Sequence, residues 1–334
     1  MGTRASQVLD LDHVVMDDGR VYRVVGNLDH PAKFVGYNVY SPDPGGDRVF
    51  RGMPYRKNHA EDDDLPQDAL DTYVMLPKAR IAEHLDPRAA AARNAGTFAG
   101  TPWAGLHVEL TSLFGAGAVG IFGSAMLGMH LTPAGTVRKD VDFVIDGAAS
   151  IPVLRQHLPA IRARLGFTEV TTARQGRQYQ RYQRVFRNPG NSTDLVISRR
   201  WTAVQAPSGI VTTIRFRDPA IRLPYQLAGA FPTGTRTVTV TGQVADADLG
   251  NLFPRTFRVV TAGHAWTIHL WWWKFASPVR DGDIITVRGS HRALPGDPVI
   301  RVSSFTSHFL HIHPQPPASP DRDQEGHPCS TGSP

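Results

Sequence analysis

Cysteine is almost missing from this chain of 334 residues, and Cys329 is the single one. One cysteine can form neither an intrachain disulfide nor a zinc site built from several thiolates, so we expect a cytoplasmic protein. Long apolar runs are also missing, and none approaches the roughly 20 residues that a membrane-spanning helix requires. Residues Met1–Arg4 lead into polar and acidic positions rather than the apolar stretch of a secretory signal. We therefore expect no membrane partner.

Acidic residues are scarce between positions 151 and 235. This range contains 13 arginines, no lysine and only three acids, Glu169, Asp194 and Asp218, whereas the first 100 residues hold more acidic than basic side chains. Such a basic block suits a phosphate-rich partner. A solvated surface rich in arginine would give the same composition. The basic block therefore indicates a phosphate-rich partner only in combination with the motifs beside it.

Turn residues and changes in hydrophobic periodicity divide the chain into four predicted parts. They are a β-rich N-terminal region with a helical connector (1–98), a core of mixed helices and strands (99–230), a small β-barrel (235–312) and a disordered tail (313–334). Five short strand-like runs separated by turns suggest the barrel, which we expect to be OB-like, with a β-sandwich as the alternative. The predicted fold class is therefore α+β.

Within these parts, periodicity predicts individual helices and strands. The predicted helices lie at Pro77–Leu85, from Pro87 onward, at Trp103–Phe114 and at Leu154–Leu165. The predicted strands of the core are Val119–Phe122, Val141–Ile145 and Asp194–Ser198. The apolar character of these three strands indicates that they are buried between other elements.

Small residues follow the first core strand. Gly123 and Ser124 come directly after it, and Gly128 lies four residues further on. A glycine lets main-chain amides approach phosphate oxygens closely, and a serine adds a hydroxyl donor. We expect Ala125 to Met129 to form the first turn of a helix, whose positive end would add to the attraction for phosphate.

Paired carboxylates open the second core strand. Asp140 and Asp142 are two positions apart, so in a strand they share one face. Asp194 opens the predicted third strand and could reach the same face. Three converging carboxylates repel one another unless cations lie between them. An all-oxygen ligand set favours Mg²⁺ or Mn²⁺ over zinc.

The ordered combination of Gly-Ser, a further glycine, Asp-x-Asp and a later aspartate resembles the polymerase-β nucleotidyltransferase superfamily. The resemblance covers about residues 100–200 and predicts a mixed sheet with flanking helices. It implies a nucleotidyltransferase that moves a nucleoside monophosphate from a nucleoside triphosphate to a hydroxyl and releases pyrophosphate. Two departures are Lys139, where the family often has serine, and a 15-residue loop between the serine and the first aspartate.

The resemblance also assigns roles to individual residues. Asp140, Asp142 and Asp194 would bind two Mg²⁺ ions (or Mn²⁺) and act as the catalytic carboxylates. Gly123, Ser124 and Gly128 would hold the triphosphate. Lys139 is a further candidate for contact with the nucleotide.

Arginines alternate with aromatic residues between the helix at 154–165 and Asp194. Arg177 and Arg181 would share a face in either a helix or a strand, and there they could clamp a triphosphate or the phosphates of an acceptor. A solvated arm is the alternative. This stretch and the expected barrel favour an RNA or DNA acceptor. A small molecule, a protein side chain, or a nucleic-acid-binding module without catalysis remain open.

Two further groups of residues have a structural and a functional interpretation. Trp271-Trp272-Trp273 could pack in the barrel or at its interface, which we favour, or form a stacking platform for bases. His308, His311 and His313 suggest a metal site, but no companion ligand is evident, and we expect ordinary histidines.

Overall fold

The structure, a computed structural model, describes residues 7–58, 68–131, 140–170, 195, 199–224, 236–272, 277–292 and 298–313. Over these ranges the protein is a mixed α+β structure in which sheets dominate and helices are few. The predicted α+β class is therefore confirmed. The predicted tail from residue 314 and most of the arginine-rich stretch lie outside the described residues.

An antiparallel sheet occupies the N-terminal region. Its strands, numbered in chain order, are β1 (His13–Met16), β2 (Val21–Val24), β4 (Lys33–Pro42), β5 (Arg48–Phe50), β6 (Met53–Lys57), β7 (Val74–Pro77) and β8 (Ile81–Leu85), while β3 (Leu28–Asp29) belongs to another sheet. The strand order is β5-β6-β4-β2-β1-β8, and β7 pairs with β4. The helix predicted at Pro77–Leu85 is wrong, because β8 pairs with β1. This pairing provides partners for backbone N–H and C=O groups that a short helix would leave without hydrogen bonds.

Two helices connect this sheet to the next. Asp86 caps α1 (Pro87–Asn94) by accepting main-chain N–H groups of its first turn, as the proline at its start predicts. The second helix, α2 (Pro102–Phe114), ends at Gly115, whose φ of +84° favours glycine. On α2, Trp103, Leu106 and Leu110 are buried at helical spacing, which confirms the predicted helix.

A central mixed sheet lies against α2. It consists of β9 (Val119–Phe122), β10 (Asp142–Asp146), β11 (Thr168–Glu169), β12 (Ala203–Gln205) and β13 (Val211–Arg217), and α3 (Ser150–Leu165) lies between β10 and β11 in the chain. The order is β11-β12-β13-β10-β9, with β10 antiparallel to β9 and parallel to β13. The indole Nε1 of Trp103 donates to Thr212 Oγ1 at 2.6 Å, so α2 covers one face of this sheet.

The neighbour of β10 differs from the one that the sequence predicted. A strand at Asp194–Ser198 was expected there, yet β13 occupies the position. Leu195, the described residue of that stretch, is helical, and the N–H of Arg199 donates to its carbonyl oxygen at 3.1 Å. Leu195 packs against the core of the C-terminal sheet rather than within the central one. Apart from Leu195, the stretch Asp194–Ser198 lies outside the described residues.

Strands between Thr237 and Ile312 form a closed barrel. Its strands are β15 (Thr237–Ala245), β16 (Arg255–Val260), β17 (Ala265–Leu270), β18 (Ile284–Arg292) and β19 (Val299–Val302), with β20 (Phe309–Ile312) added at β18. The order β15-β16-β17-β19-β18 returns to β15, since β15 and β18 also pair. The β17–β19 pair is parallel, and the other pairs are antiparallel. Closure excludes the β-sandwich alternative and leaves few open strand edges.

The N-terminal sheet contacts both of the other units. Trp271, just after β17, is fully buried, and its ring meets Phe253 edge-on at 5.5 Å. The hydroxyl of Tyr73 donates to the carbonyl of Trp271 at 2.9 Å. Nearby, β3 pairs in parallel with β14 (Leu223–Pro224), which follows β13. The expectation that Trp271 packs at an interface is confirmed.

Candidate active site

The turn from β9 and the start of β10 bring Gly123 and Asp142 together. The two strands pair antiparallel with Asp142 opposite Phe122, so Gly123 lies next to the carboxylate. A Cβ built on Gly123 would lie 3.6 Å from Asp142 Oδ2. The φ of Gly123 is +69°, a backbone conformation that favours glycine. The strand end therefore needs glycine for its conformation, and the small residue leaves Asp142 Oδ2 accessible from that side.

Asp142 is held at its other oxygen. The main-chain N–H of Thr213, on β13, donates to Asp142 Oδ1 at 2.9 Å. Burial and, to a smaller extent, the nearby charge of Asp140 raise the pKa of Asp142 to about 7, although the Thr213 N–H and the guanidinium of Arg215 oppose the rise. The carboxylate is thus fixed in place, and its negative charge is costly unless a cation compensates for it.

Asp140 lies just before β10 rather than within it. Its charge acts on Asp142 and also on the buried Tyr40 of β4. Burial raises the pKa of Tyr40, and the two aspartates add to the rise while Arg48 opposes it. The pair of carboxylates therefore faces the N-terminal sheet, which forms one wall of the site.

Arginines from two elements act on Asp142, and a third lines a cavity beside them. Arg23 of β2 lies 4.8 Å from the ring centroid of Phe122, and both Arg23 and Arg215 lower the pKa of Asp142. A small cavity of about 20 Å³ is lined by Arg23, Arg215 and Arg255, the last of these from β16. A cavity of that size holds about one water molecule. Arg23 and Arg215 therefore supply positive charge near Asp142, whereas Arg255 lines the cavity together with the carboxylate of Asp10.

The segment after Gly123 is a series of turns and not the helix start that the sequence predicted. The N–H of Met129 donates to Ser124 O at 2.9 Å, and the N–H of Gly128 donates to Ala125 O at 3.2 Å. Gly128 has a φ of +71°, which a helical residue does not adopt. Ser124 is partly buried beside Gly123. The helix-dipole contribution expected here is therefore absent, and any cradle for phosphate depends on turn amides and the serine.

Four of the predicted site residues lie outside the described part of the chain. They are Lys139, Asp194, Arg177 and Arg181. Their assigned roles stay predictions. Within the described ranges, no cluster of three or more histidine, cysteine, aspartate or glutamate side chains is arranged to hold a metal ion.

The strand beside Asp142, β13, carries polar and basic side chains on the face where the sequence predicted the carboxylate of Asp194. In register with β10, the side chains of Thr213, Arg215 and Arg217 share the face of Asp142, and none of the three is a carboxylate. Alternation of apolar and polar residues over Val211–Arg217 is a signal for this strand that could have been recognised. No comparable signal in the sequence connects Arg23 with the site, because that contact depends on how the N-terminal sheet docks.

Trp271, Trp272 and His308 have structural contacts, whereas Trp273 lies outside the described residues. Trp272 is buried in the barrel core, where its Nε1 donates to Ser303 O at 2.9 Å. With Trp271 and Trp272 both buried, neither offers a platform for bases. His308 Nδ1 accepts the N–H groups of Ser303 and Ser304 at 3.1 and 3.0 Å.

Comparisons with known protein families, with curated proteins and with solved structures gave no match to this chain. In the described residues, no helix combines the length and the apolar character needed to span a membrane.

Proposed function

We propose that the protein is a metal-dependent nucleotidyltransferase that moves a nucleoside monophosphate from a nucleoside triphosphate to an acceptor hydroxyl and releases pyrophosphate. The observation that carries the proposal is the position of Gly123 beside Asp142 Oδ2, with the charges of Asp140, Arg23 and Arg215 acting on the same carboxylate. It supports the polymerase-β type of core, whose motifs include a Gly-Ser turn and an Asp-x-Asp pair. A mixed central sheet with flanking helices is consistent with the same core.

The donor set suits divalent magnesium or manganese. Asp140 and Asp142 offer only oxygen ligands, and burial together with the charge of Asp140 raises the pKa of Asp142, so a bound cation would stabilise its ionised form. These two residues would hold the metal, together with Asp194 if that residue reaches them. When bound, Mg²⁺ would supply positive charge for the triphosphate and the leaving pyrophosphate.

The residues of the chain itself have separable roles in this proposal. The Thr213 N–H fixes the orientation of Asp142, which leaves Oδ2 for the metal. The turn at Gly123 and Ser124 lets main-chain amides approach the triphosphate. Arg23 and Arg215 contribute positive charge where negative charge accumulates during transfer. Asp194 would orient or deprotonate the acceptor hydroxyl, as the resemblance implies.

We favour RNA or DNA as the acceptor. The closed five-stranded barrel supports an OB-like domain, a fold that often binds oligonucleotides. The exposed side of β18 and β20 carries Arg288 and His311. A small molecule or a protein side chain as acceptor would use the same transfer site.

The direct test is incubation of the full-length protein with each labelled nucleoside triphosphate, Mg²⁺ and total cellular RNA. We expect pyrophosphate release and label on an acceptor, both lost in Asp142→Asn. The variant Asp17→Asn is the matched control, because it removes the charge of an exposed aspartate whose partner is Arg80. Undiminished activity in a folded Asp140→Asn/Asp142→Asn double variant would refute the proposal.

A second candidate is a nucleotide- or nucleic-acid-binding protein without transfer activity. It is favoured by Arg215 on β13, because a cation there helps bind an anion but cannot ligate a metal ion. Salt-sensitive binding of single-stranded RNA with no pyrophosphate release under any nucleotide condition would support this candidate over the first.

A further inference from the structure

A cavity of about 340 Å³ lies beside the turn that follows Ser124. The N-terminal sheet supplies one side through Phe50, Arg51 and Glu83, and the turn supplies the other through Met126 and Gly128. Ligand sites of small molecules begin at about 300 Å³, so this volume suffices for a nucleoside. It is far larger than the water-sized cavities between the arginines.

The cavity is connected to the proposed triphosphate site through the turn itself. Ser124 O accepts the N–H of Met129, so the far end of the turn is one hydrogen bond away from Ser124. Asn94, at the end of α1, donates from Nδ2 to the carbonyls of Ala125 and Met126 at 3.0 and 3.2 Å. The wall of the cavity is therefore held in a fixed position relative to Gly123 and Ser124.

The lining combines apolar area with stacking surface. Leu85 and Met126 are buried side chains that line the cavity. The Arg51 guanidinium lies 5.2 Å from the ring centroid of Phe50 on the β5–β6 hairpin, and it forms an ion pair with Glu83. Gly128 borders open space, because a Cβ built there would meet no atom within 4 Å. A flat ring can therefore approach the turn closely.

Glu83 contributes a specific polar group. One of its carboxylate oxygens, Oε1, accepts from Arg51, whereas Oε2 is buried and has no hydrogen-bond partner. A buried acceptor without a donor is unfavourable by about 1–3 kcal/mol or more. Glu83 lines the cavity and its side chain is partly exposed, so a rotation of the carboxylate would present this oxygen to a ligand with an N–H donor.

We infer that this cavity receives the base of the nucleoside triphosphate and that Glu83 Oε2 accepts a hydrogen bond from the exocyclic amine of that base. The inference rests on the proposed function, since it places the triphosphate at Gly123 and Ser124. It assigns the N-terminal sheet the selection of the nucleotide, a role that the transfer site alone does not provide.

The test compares pairs of nucleotides that differ mainly in the exocyclic amine of the base. ATP and CTP carry an exocyclic amine where ITP and UTP carry a carbonyl oxygen. Binding of all four, and of inorganic tripolyphosphate, is measured by calorimetry on the full-length protein with Mg²⁺. We expect every nucleotide that fits to bind more tightly than tripolyphosphate. In at least one pair, the amine-bearing nucleotide should bind about tenfold more tightly than its partner, as for a hydrogen bond to a charged group.

Glu83→Gln should abolish that preference. Glutamine can still accept from Arg51 with its carbonyl, but it then presents an amide donor in place of Oε2. Glu109→Gln is the matched control, because Glu109 is also paired with an arginine, Arg164, and lies on α2 away from the cavity. Phe50→Ala should weaken binding of every nucleotide and leave tripolyphosphate unaffected, whereas Val49→Ala on the same hairpin should change neither.

The outcomes separate this inference from the proposed function. Tripolyphosphate binding that depends on Mg²⁺ and is lost in Asp142→Asn supports the transfer site by itself. If that result is obtained but neither pair shows a preference, or Glu83→Gln preserves it, the base site is wrong and the transfer site stands. If tripolyphosphate binds equally well to Asp142→Asn, the proposed function fails first, and the base site fails with it.

Discussion

The guanidinium of Arg217 donates from Nη1 to Asp12 Oδ1 at 2.5 Å, although the two residues are 205 positions apart in the chain. Both side chains are almost completely buried. Arg217 also donates from Nε to Asp146 Oδ1 at 2.6 Å, at the end of β10 opposite to Asp142. A buried charge network therefore joins the N-terminal sheet to the central sheet and fixes the wall that faces the aspartate pair.

Removal of Arg217 should destabilise the protein strongly. The variant Arg217→Met removes the buried guanidinium shared by Asp12 and Asp146 and leaves them only the more exposed His84 and Arg88, which costs about 3–5 kcal/mol of the free energy of unfolding. Urea denaturation measures the loss. The matched control is Arg164→Met, which breaks the more exposed pair with Glu109 and should cost less than about 1 kcal/mol. Equal effects of the two variants would contradict a structural role for this network.

The pairing of His84 with Asp12 should make stability depend on pH. The hydrogen bond from His84 Nε2 to Asp12, 2.6 Å long, raises the pKa of His84 above its ordinary 6.5 and outweighs the opposing effect of burial. A raised pKa in the folded state means that this stabilisation is fully present below pH 6.5 and is lost as pH rises through the folded value. His84→Gln should therefore lose more stability, relative to wild type, at about pH 5.5 than at about pH 8.5. A deficit that grows with pH would refute this assignment.

Much of the fold was predictable from local patterns. The helix α2 follows from the spacing of Trp103, Leu106 and Leu110, and the barrel follows from its short alternating runs and turns. The segment Pro77–Leu85 was mistaken for a helix because its strand, β8, depends on pairing with β1, which lies more than 60 residues earlier. Local propensity cannot reveal a partner at that distance in the chain.

The candidate site was predictable only in part. Gly123 and Asp142 are connected by adjacent strands, so the motif and the strand pattern were enough to bring them together. Arg23 and Tyr40 approach from another sheet, and their contribution depends on docking across a buried interface. The position of β13 was missed because its polar residues, such as Thr213 and Arg215, resemble a solvated strand in sequence, whereas Arg215 lines a small cavity together with Arg23 of the N-terminal sheet.

Gly123→Ala should weaken both folding and activity. The φ of +69° is unfavourable for alanine, and the effect on stability should be about 1 kcal/mol. The new methyl group would also lie about 3.6 Å from Asp142 Oδ2, where a metal ligand must stay accessible. Pyrophosphate release should fall more than tenfold. Gly115→Ala, at φ +84° and away from the site, is the control for backbone strain alone. An equal loss of activity in the two variants would argue against a role for Gly123 in the site.

Asp142→Asn should stabilise the protein when no metal is present. Because the folded pKa is raised to about 7, the wild type becomes less stable as pH rises from 3.8 to 7, by about 1.4 kcal/mol for each pH unit at most. The neutral asparagine can still accept the Thr213 N–H and carries no such penalty. In EDTA, the variant should exceed wild type in stability at pH 8 and approach it near pH 4.5. Addition of Mg²⁺ should stabilise wild type alone.

Arg215→Gln should raise the pKa of Asp142 further. The guanidinium of Arg215 opposes the effects of burial and of Asp140, so its removal leaves the carboxyl more difficult to ionise. The ionisation of Asp142 can be followed by the carbon-13 shift of its carboxyl group as pH is varied in the absence of metal. We expect a midpoint above the wild-type value of about 7, and weaker binding of tripolyphosphate at neutral pH. Arg258→Gln, on the exposed side of β16, removes an arginine paired with Asp246 and should leave the midpoint unchanged. A midpoint that falls in Arg215→Gln would show that this arginine does not act on Asp142 through its charge.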